Sequence, residues 1–275
     1  MRITLGHSDD PDDAFMVWAL AERKVDLRGF EFELVPRDIQ TLNEWALEGR
    51  LDVTALSLAA YPRVQETYAL LPHGASVGRG YGPIVVTREA MSLEELRATE
   101  VVVPGRLTTA FLVLGLALGG PFGHRVLDFR QILDEVRTGH AGAGLLIHEG
   151  QLTYADAGLT KSLDLGAWWL GETGLPLPLG VNVVRRELAR VDEVSRVLAD
   201  SIELGLGERK AALAYAQRYG RGLDASTADR FVDMYVNELT LDLGDEGRRA
   251  VAELLARAGA AGLSGEVRVD FVGAG

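Results

Sequence analysis

The chain has 275 residues and none of them is cysteine. This absence excludes disulfide bonds, thiolate zinc sites, iron–sulfur clusters and a cysteine nucleophile. A dense run of basic residues is also missing, and 28 Lys and Arg against 40 Asp and Glu give a formal net charge of −12. We therefore expect no nucleic-acid partner. An acidic chain that binds a small anion must use local devices such as helix N-termini.

Long apolar runs are scarce as well. The longest, Leu107 to Phe122, contains threonine and glycine and is shorter than the ~20 residues that a membrane span needs. We expect a buried helix there and no membrane partner. The first ten residues carry charges where a signal peptide would have its apolar segment, so the expected location is cytoplasmic. The sequence does not decide whether the chain forms a homodimer.

What the chain does contain is typical of a globular protein, with 47% apolar residues. Short β-like runs alternate with helical patterns up to Arg185, which indicates the α/β class, and the pattern beyond Arg185 is helical. Strands are predicted at 3–5, 31–35, 51–58, 83–87, 101–103, 141–146, 159–165 and 180–184. Helices are predicted at 14–24, 39–47, 59–68, 129–136, 187–204, 208–219, 225–239 and 245–261, with others beginning at 92 and 107.

Residues 166–179 form a proline- and glycine-rich segment, for which we predict an irregular return of the chain. Trp168 and Trp169 within it are equally consistent with walling an aromatic ligand and with packing at a hinge. The order of elements suggests two α/β lobes with a cleft between them. Residues 1–83 and 180–275 would form an outer lobe, and residues 84–179 an inserted lobe.

The stretch around His148 is the first candidate for chemistry. An apolar run from Ala141 to Leu146 ends abruptly before it, as in a buried parallel strand that delivers an imidazole to its C-terminal rim. Ligands of open α/β sheets bind at that rim. The alternative for an isolated case is a histidine bonded to nearby backbone at the end of a strand.

Other polar residues occupy similar positions. Thr108 and Thr109 open a long apolar helix, where unpaired NH groups, the two adjacent hydroxyls as donors and the helix dipole make a pocket for a carboxylate or phosphate. Ser57 lies at a predicted strand-to-helix turn, and Asp12 and Asp13 lie at the start of the first helix. Helix capping explains each of these residues about equally well.

Several longer motifs, in this order along the chain, resemble one known family, the 1,4-dihydroxy-6-naphthoate synthases of the futalosine route to menaquinone. They are Pro-Asp-Asp-Ala-Phe (11–15), Thr-Leu-Asn-Glu-Trp-Ala-Leu-Glu-Gly-Arg (41–50), Gly-Arg-Gly-Tyr-Gly-Pro (78–83), Pro-Gly-Arg-Leu-Thr-Thr (104–109), Leu-Ile-His-Glu (146–149), Asp-Leu-Gly-Ala-Trp-Trp (164–169), Gly-Leu-Pro-Leu-Pro-Leu-Gly (174–180) and Tyr-Val-Asn (235–237).

The resemblance implies a type 2 periplasmic-binding-protein-like fold and a lyase that cleaves cyclic dehypoxanthinylfutalosine. The implied products are 1,4-dihydroxy-6-naphthoate and a three-carbon sugar fragment, with no metal and no organic cofactor. The ligand would be a small-molecule carboxylate. The family's general base falls on His148, and neutral imidazole suits that task because its ordinary pKa is about 6.5. The implied substrate contacts are Ala55, Leu56, Ser57, Thr108 and Thr109.

Two other functions stay open at this point. Chorismate dehydratase, a sister enzyme of the same pathway and fold, is expected to lack the His-Glu pair after the strand. A non-catalytic solute-binding protein that feeds a transporter is the alternative from another class, and the charged N-terminal residues argue against it.

Overall fold

A computed structural model describes residues 1–220 and 224–273 of the chain. Its strands are β1 (Arg2–Ser8), β2 (Glu31–Arg37), β3 (Val53–Ser57), β4 (Tyr68–Leu70), β5 (Ser76–Gly78), β6 (Ile84–Thr87), β7 (Val101–Val103), β8 (His124–Val126), β9 (Ala143–Leu146), β10 (Thr160–Asp164) and β11 (Leu177–Arg185). Its α-helices are α1 (Pro11–Ala21), α2 (Ile39–Leu47), α3 (Leu93–Ala98), α4 (Thr109–Ala117), α5 (Phe129–Arg137), α6 (Gly150–Thr153), α7 (Leu165–Thr173), α8 (Val191–Gly207), α9 (Arg209–Ala216), α10 (Ala225–Tyr235), α11 (Glu238–Leu241) and α12 (Gly244–Ala260).

The strands form two sheets. The first has the order β2-β1-β3-β11-β4, with β5 also paired to β11, and the second has the order β10-β6-β9-β7-β8. The chain leaves the first sheet after β5 and returns to it in β11. This mixed-sheet arrangement with helices confirms the predicted α/β class.

Strand direction places the candidate residues. Strands β1 and β3 pair in parallel, so the segments after Ser8 and after Ser57 leave the first sheet at one edge. Strands β7 and β9 also pair in parallel, so the segments that lead to Thr108 and to His148 leave the second sheet at one edge. Carboxyl ends of parallel strands are where α/β proteins place ligands.

Helix α1 is held rigidly behind the first sheet. Val17 and Leu20 pack in a cluster with β1, while Phe15 and Trp18 pack in a second cluster with α8 and α9. Almost every residue of α1 is buried, which is why its sequence lacks a polar face. The N-terminus of α1 is therefore held in a fixed position relative to the first sheet.

Three sequence-based predictions of elements are wrong. The helix expected at 59–68 is a short 3-10 helix, Leu58–Arg63, because Pro62 has no NH for a continuing helix. The irregular return expected at 166–179 begins with α7, because the Asp164 carboxylate accepts from two NH groups of the first turn. The single helix expected at 225–239 is divided, because Asn237 caps α11.

Every helix among the described residues is too short or too polar to cross a membrane.

Candidate functional site

A cavity lies between the edges of the two sheets. Residues of both sheets contribute to its wall. The polar ones are Ser8, Asp10, Asp12, Asp13, Ser57, Ser76, Thr108, Thr109, His148, Gln151 and Tyr235. All residues predicted as catalytic or substrate-binding, including Ala55 and Leu56, line this one cavity.

His148 contacts a carboxylate from the other sheet's side of the cavity. Its Nδ1 lies 2.8 Å from Oδ2 of Asp10, and the two side chains are only 12% and 4% exposed. The ring packs edge-on against Phe129 and Phe231. His148 also has a positive φ of 53°, a left-handed conformation that is uncommon for residues other than glycine. The backbone turn, the two aromatic rings and the carboxylate together fix the imidazole.

Asp10 has three roles in the local structure. It is the N-cap of α1, with Oδ1 accepting from the NH of Asp13, while Oδ2 accepts from the hydroxyl of Ser8 at 2.7 Å. Burial by itself would raise the pKa of Asp10, but the charge of His148 and its hydrogen bond outweigh burial and hold that pKa well below its usual range. Asp10 is therefore ionised at neutral pH.

The other two carboxyl groups of the first turn behave differently. Asp13 accepts from the NH of Ser8 at 2.6 Å, and burial, followed by the charge of Asp10, raises its pKa to about 7. Asp12 accepts from the hydroxyl of Ser76 at 3.1 Å. Burial, followed by the charges of Asp10 and Asp13, raises the pKa of Asp12 well above its ordinary value. One ionised carboxylate thus lies beside two carboxyl groups whose pKa values are raised, which favours their protonated forms.

These three carboxyl groups could also hold a metal ion, since one oxygen of each lies within 4.8 Å of the others. A metal would have to compete with existing partners. Asp10 already contacts His148 and accepts a hydrogen bond from the hydroxyl of Ser8. Asp13 already accepts a hydrogen bond from the NH of Ser8. The donor set therefore fits a hydrogen-bonded acid cluster better than a cation site.

The predicted contacts on β3 lie at the end of that strand. Ser57 is fixed by Asn43, whose amide nitrogen donates to the Ser57 hydroxyl at 3.0 Å and whose carbonyl accepts from its NH at 2.8 Å. Ser57 precedes the 3-10 helix without capping it, so capping does not account for its position. Ala55 and Leu56 are buried, and Ala55 offers the cavity only a methyl group and backbone.

The two threonines of α4 use their hydroxyls for backbone contacts. Thr108 donates to the carbonyl of Gly105 at 2.9 Å and caps α4 through the NH of Phe111. Thr109 donates to the carbonyl of Leu179 at 2.6 Å and accepts from the NH of Ala59 at 3.2 Å. The expectation that both hydroxyls donate to a ligand needs revision, and the remaining first-turn NH groups of α4, those of Thr109 and Ala110, are the donors that a ligand can use.

Sequence reasoning missed several polar residues of the site, among them Asp10, Asn43, Gln151 and Tyr235. Asp10 lies a few residues before the first predicted helix, and its pairing with a histidine 138 positions away leaves no local signal. Asn43 is fully buried on α2, and burial of an amide inside a helical pattern was its only clue. Tyr235 donates to the Gln151 side chain at 2.6 Å, a contact that depends on packing between distant helices.

Comparison with known proteins identifies relatives over nearly the whole length. A family model described as "Menaquinone biosynthesis" matches residues 3–260. A 1,4-dihydroxy-6-naphthoate synthase from Thermus thermophilus is 42% identical over 264 residues, covering 95% of this chain and 96% of that protein. A 1,4-dihydroxy-6-naphthoate synthase from Streptomyces coelicolor is 37% identical over 268 residues, covering 95% and 94%.

Solved structures agree with this result. A protein from Archaeoglobus fulgidus is 42% identical, with a TM-score of 0.90 over 95% of this chain and 98% of that chain. An alkanesulfonate-binding protein from Xanthomonas axonopodis is 13% identical, with a TM-score of 0.71 over 96% and 94%. The second likeness concerns the fold alone, and it confirms the predicted two-lobe periplasmic-binding-protein architecture. By its near full-length match to the named relatives, this chain belongs to the 1,4-dihydroxy-6-naphthoate synthase family, enzymes of menaquinone biosynthesis.

Proposed function

We propose that this enzyme is a lyase of the futalosine route, which cleaves cyclic dehypoxanthinylfutalosine to 1,4-dihydroxy-6-naphthoate and a three-carbon sugar fragment. The observation that carries the proposal is the contact between His148 and Asp10 at the wall of a cavity lined by polar and apolar residues. A base held by a carboxylate beside such a cavity suits proton abstraction from a bound small molecule.

His148 is the general base of the proposed reaction. Because Nδ1 contacts Asp10, proton transfer from the substrate would use Nε2. The ionised Asp10 orients the ring and stabilises the imidazolium that forms when the proton is taken, as a carboxylate does in a serine-protease triad. Elimination then leads to an aromatic product, whose stability favours the forward direction.

The carboxylate of the substrate is proposed to bind at the N-terminus of α4. The first-turn NH groups there and the positive end of the helix dipole attract an anion, in a protein whose net charge of −12 otherwise repels one. Ser57, Ala55 and Leu56 would contact the same ligand from β3, with Asn43 holding the Ser57 hydroxyl in place. A ligand in this position bridges the two sheets.

Mass spectrometry of the products tests this proposal. The purified protein would be incubated separately with cyclic dehypoxanthinylfutalosine and with chorismate. We expect 1,4-dihydroxy-6-naphthoate from the first compound and no change in the second. Conversion of chorismate would instead favour the sister dehydratase, and binding without conversion of either compound would favour a solute-binding protein.

A further inference from the structure

Asp12 is a cavity residue that has no role in the proposed reaction. Its side chain lines the cavity, yet the residue is only 5% exposed. The hydroxyl of Ser76 donates to Oδ2 at 3.1 Å. Oδ1 is buried and has no hydrogen-bond partner within the part of the chain that the structure describes. A buried carboxyl oxygen in this state costs free energy unless a ligand supplies the partner.

The neighbours of Asp12 decide which protonation state it takes. Asp10 and Asp13 belong to the same helix turn, Tyr235 approaches from α10, and His148 lies beyond Asp10. The negative charge of the cluster is best placed on Asp10, because Oδ2 of Asp10 lies 2.8 Å from Nδ1 of the imidazole. Burial and the adjacent carboxylates raise the pKa of Asp12, which favours a proton on this group.

We propose that Asp12 is a substrate-binding residue that acts as a neutral carboxylic acid, donating a hydrogen bond from Oδ1 to an oxygen of the bound substrate. Ser76 fixes the other oxygen, and the side chain of Asp12 lines the same cavity as His148 and Asp10. An ionised Asp12 would offer no donor and would repel a carboxylate ligand. This inference rests on the proposed function for the identity of the ligand.

Two substitutions separate hydrogen bonding from other roles. Asp12→Asn keeps the shape and places an NH₂ donor at the position of Oδ1, while its carbonyl still accepts from Ser76. Asp12→Ala removes the donor. We expect Asp12→Asn to bind 1,4-dihydroxy-6-naphthoate and the cyclic substrate within a few-fold of the wild type, and Asp12→Ala to bind both about 10- to 100-fold more weakly.

The pH dependence gives a readout that a merely structural role would not move. Affinity of the wild type for the naphthoate, measured by titration calorimetry, should fall as the pH is raised and Asp12 loses its proton, and Asp12→Asn should lose this dependence. Equal damage from both substitutions would overturn the proposal in favour of proton transfer or an anionic role. Wild-type affinity in Asp12→Ala would also overturn it. Thermal unfolding of each variant identifies losses that come from folding.

Failure of the proposed function gives a different result. The wild type could fail to convert cyclic dehypoxanthinylfutalosine and still bind the naphthoate in the predicted Asp12-dependent way. That result would support the hydrogen bond from Asp12 and contradict the proposed reaction. If the wild type does not bind the naphthoate, this inference is overturned as well.

Discussion

At the scale of single residues, the backbone of His148 is as informative as its ring. A histidine with φ of 53° is strained relative to the common regions, and such strain persists only where the surroundings enforce it. The contact with Asp10 and the packing against Phe129 and Phe231 provide that enforcement. The strained backbone that places the imidazole at the cavity therefore costs stability, and such a cost is expected at a catalytic group.

His148→Asn should lower kcat by roughly 10² to 10⁴-fold, the usual contribution of a general base. Asparagine tolerates the left-handed backbone, so the fold should be retained. Steady-state kinetics and circular dichroism of the variant would check both statements. His140→Asn is the matched control, because His140 is exposed on a loop away from the cavity. Turnover near that of the wild type in His148→Asn would remove the assignment of the base.

Asp10→Asn tests whether the carboxylate positions the base. Asparagine is as good an N-cap as aspartate, so α1 should keep its start, but the imidazolium loses its counter-charge. We expect kcat to fall by roughly 10² to 10⁴-fold with a much smaller change in KM. Asp38→Asn is the control, since Asp38 caps α2 without contacting a histidine. An equal loss in both variants would mean that capping explains the effect.

The buried carboxyl group of Asp13 should make the free energy of unfolding of the protein depend on pH. Its pKa is about 7 in the folded chain because of burial and the charge of Asp10, against about 3.9 in an unfolded chain. Between these values the folded state binds more protons, so this group makes the free energy of unfolding fall as pH rises from about 4 to 7.

Asp13→Asn removes this titration and should gain roughly 1 to 4 kcal/mol relative to the wild type as pH rises through the same window. Urea unfolding at pH values on both sides of it measures the difference. Asp156→Asn, at an exposed position, is the control. A difference between Asp13→Asn and the wild type that does not vary with pH would show that Asp13 does not titrate in this range.

Single residues also show how much of the site could be predicted from the sequence. His148 could be found because a strand end is a local signal, whereas Asp10 could not be chosen from among four nearby aspartates. The choice depends on which carboxylate the fold brings within 2.8 Å of the imidazole. The same holds for the threonines, whose position was predicted but whose hydroxyl partners, the carbonyls of Gly105 and Leu179, are set by packing.

At the scale of elements, α7 shows why a local pattern can mislead. Gly166, Gly171 and nearby prolines are typical of a loop, yet Asp164 starts a helix that Gly174 ends in the left-handed conformation. Most of the longer strands and helices with clear periodicity were predicted near their observed positions, whereas the three-residue strands β4, β5 and β8 were missed. Glycine-rich helices were not, because glycine at a packing contact and glycine in a loop look alike in sequence.

Gly166→Ala should destabilise the protein by about 1 to 3 kcal/mol, because the new methyl group would lie 2.0 Å from the carbonyl carbon and oxygen of Tyr81. Gly171→Ala in the same helix is the control. Nothing lies within 4 Å of its added carbon, so it should stabilise the helix by up to ~1 kcal/mol. Chemical unfolding of both variants measures the contrast. Equal effects would mean that α7 does not pack tightly on the chain at Tyr81.

At the scale of the whole molecule, the site depends on two sheets that share few covalent connections. The chain passes between them before β6 and before β11, and Gly82 of the first passage lies against the side chain of Leu177, at the start of β11. Thr109 links α4 to both Ala59 and Leu179. These contacts are compatible with a hinge that keeps its hydrogen bonds while the two lobes rotate.

We therefore predict that the lobes close over a bound ligand, about a hinge near Gly82–Pro83 and Pro176 to Gly180. The proposed anchor at α4 and the base His148 lie on the side of the second sheet, while Asp10 and Ser57 lie on the side of the first, so a ligand that contacts all of them draws the two sides together. Closure would also exclude water from a reactive intermediate. Small-angle scattering should show a smaller radius of gyration with 1,4-dihydroxy-6-naphthoate than without it, and hydrogen exchange should change at both crossings. An unchanged radius together with unchanged exchange there would favour a rigid, preformed cleft, in which the contact between His148 and Asp10 is complete before the substrate arrives.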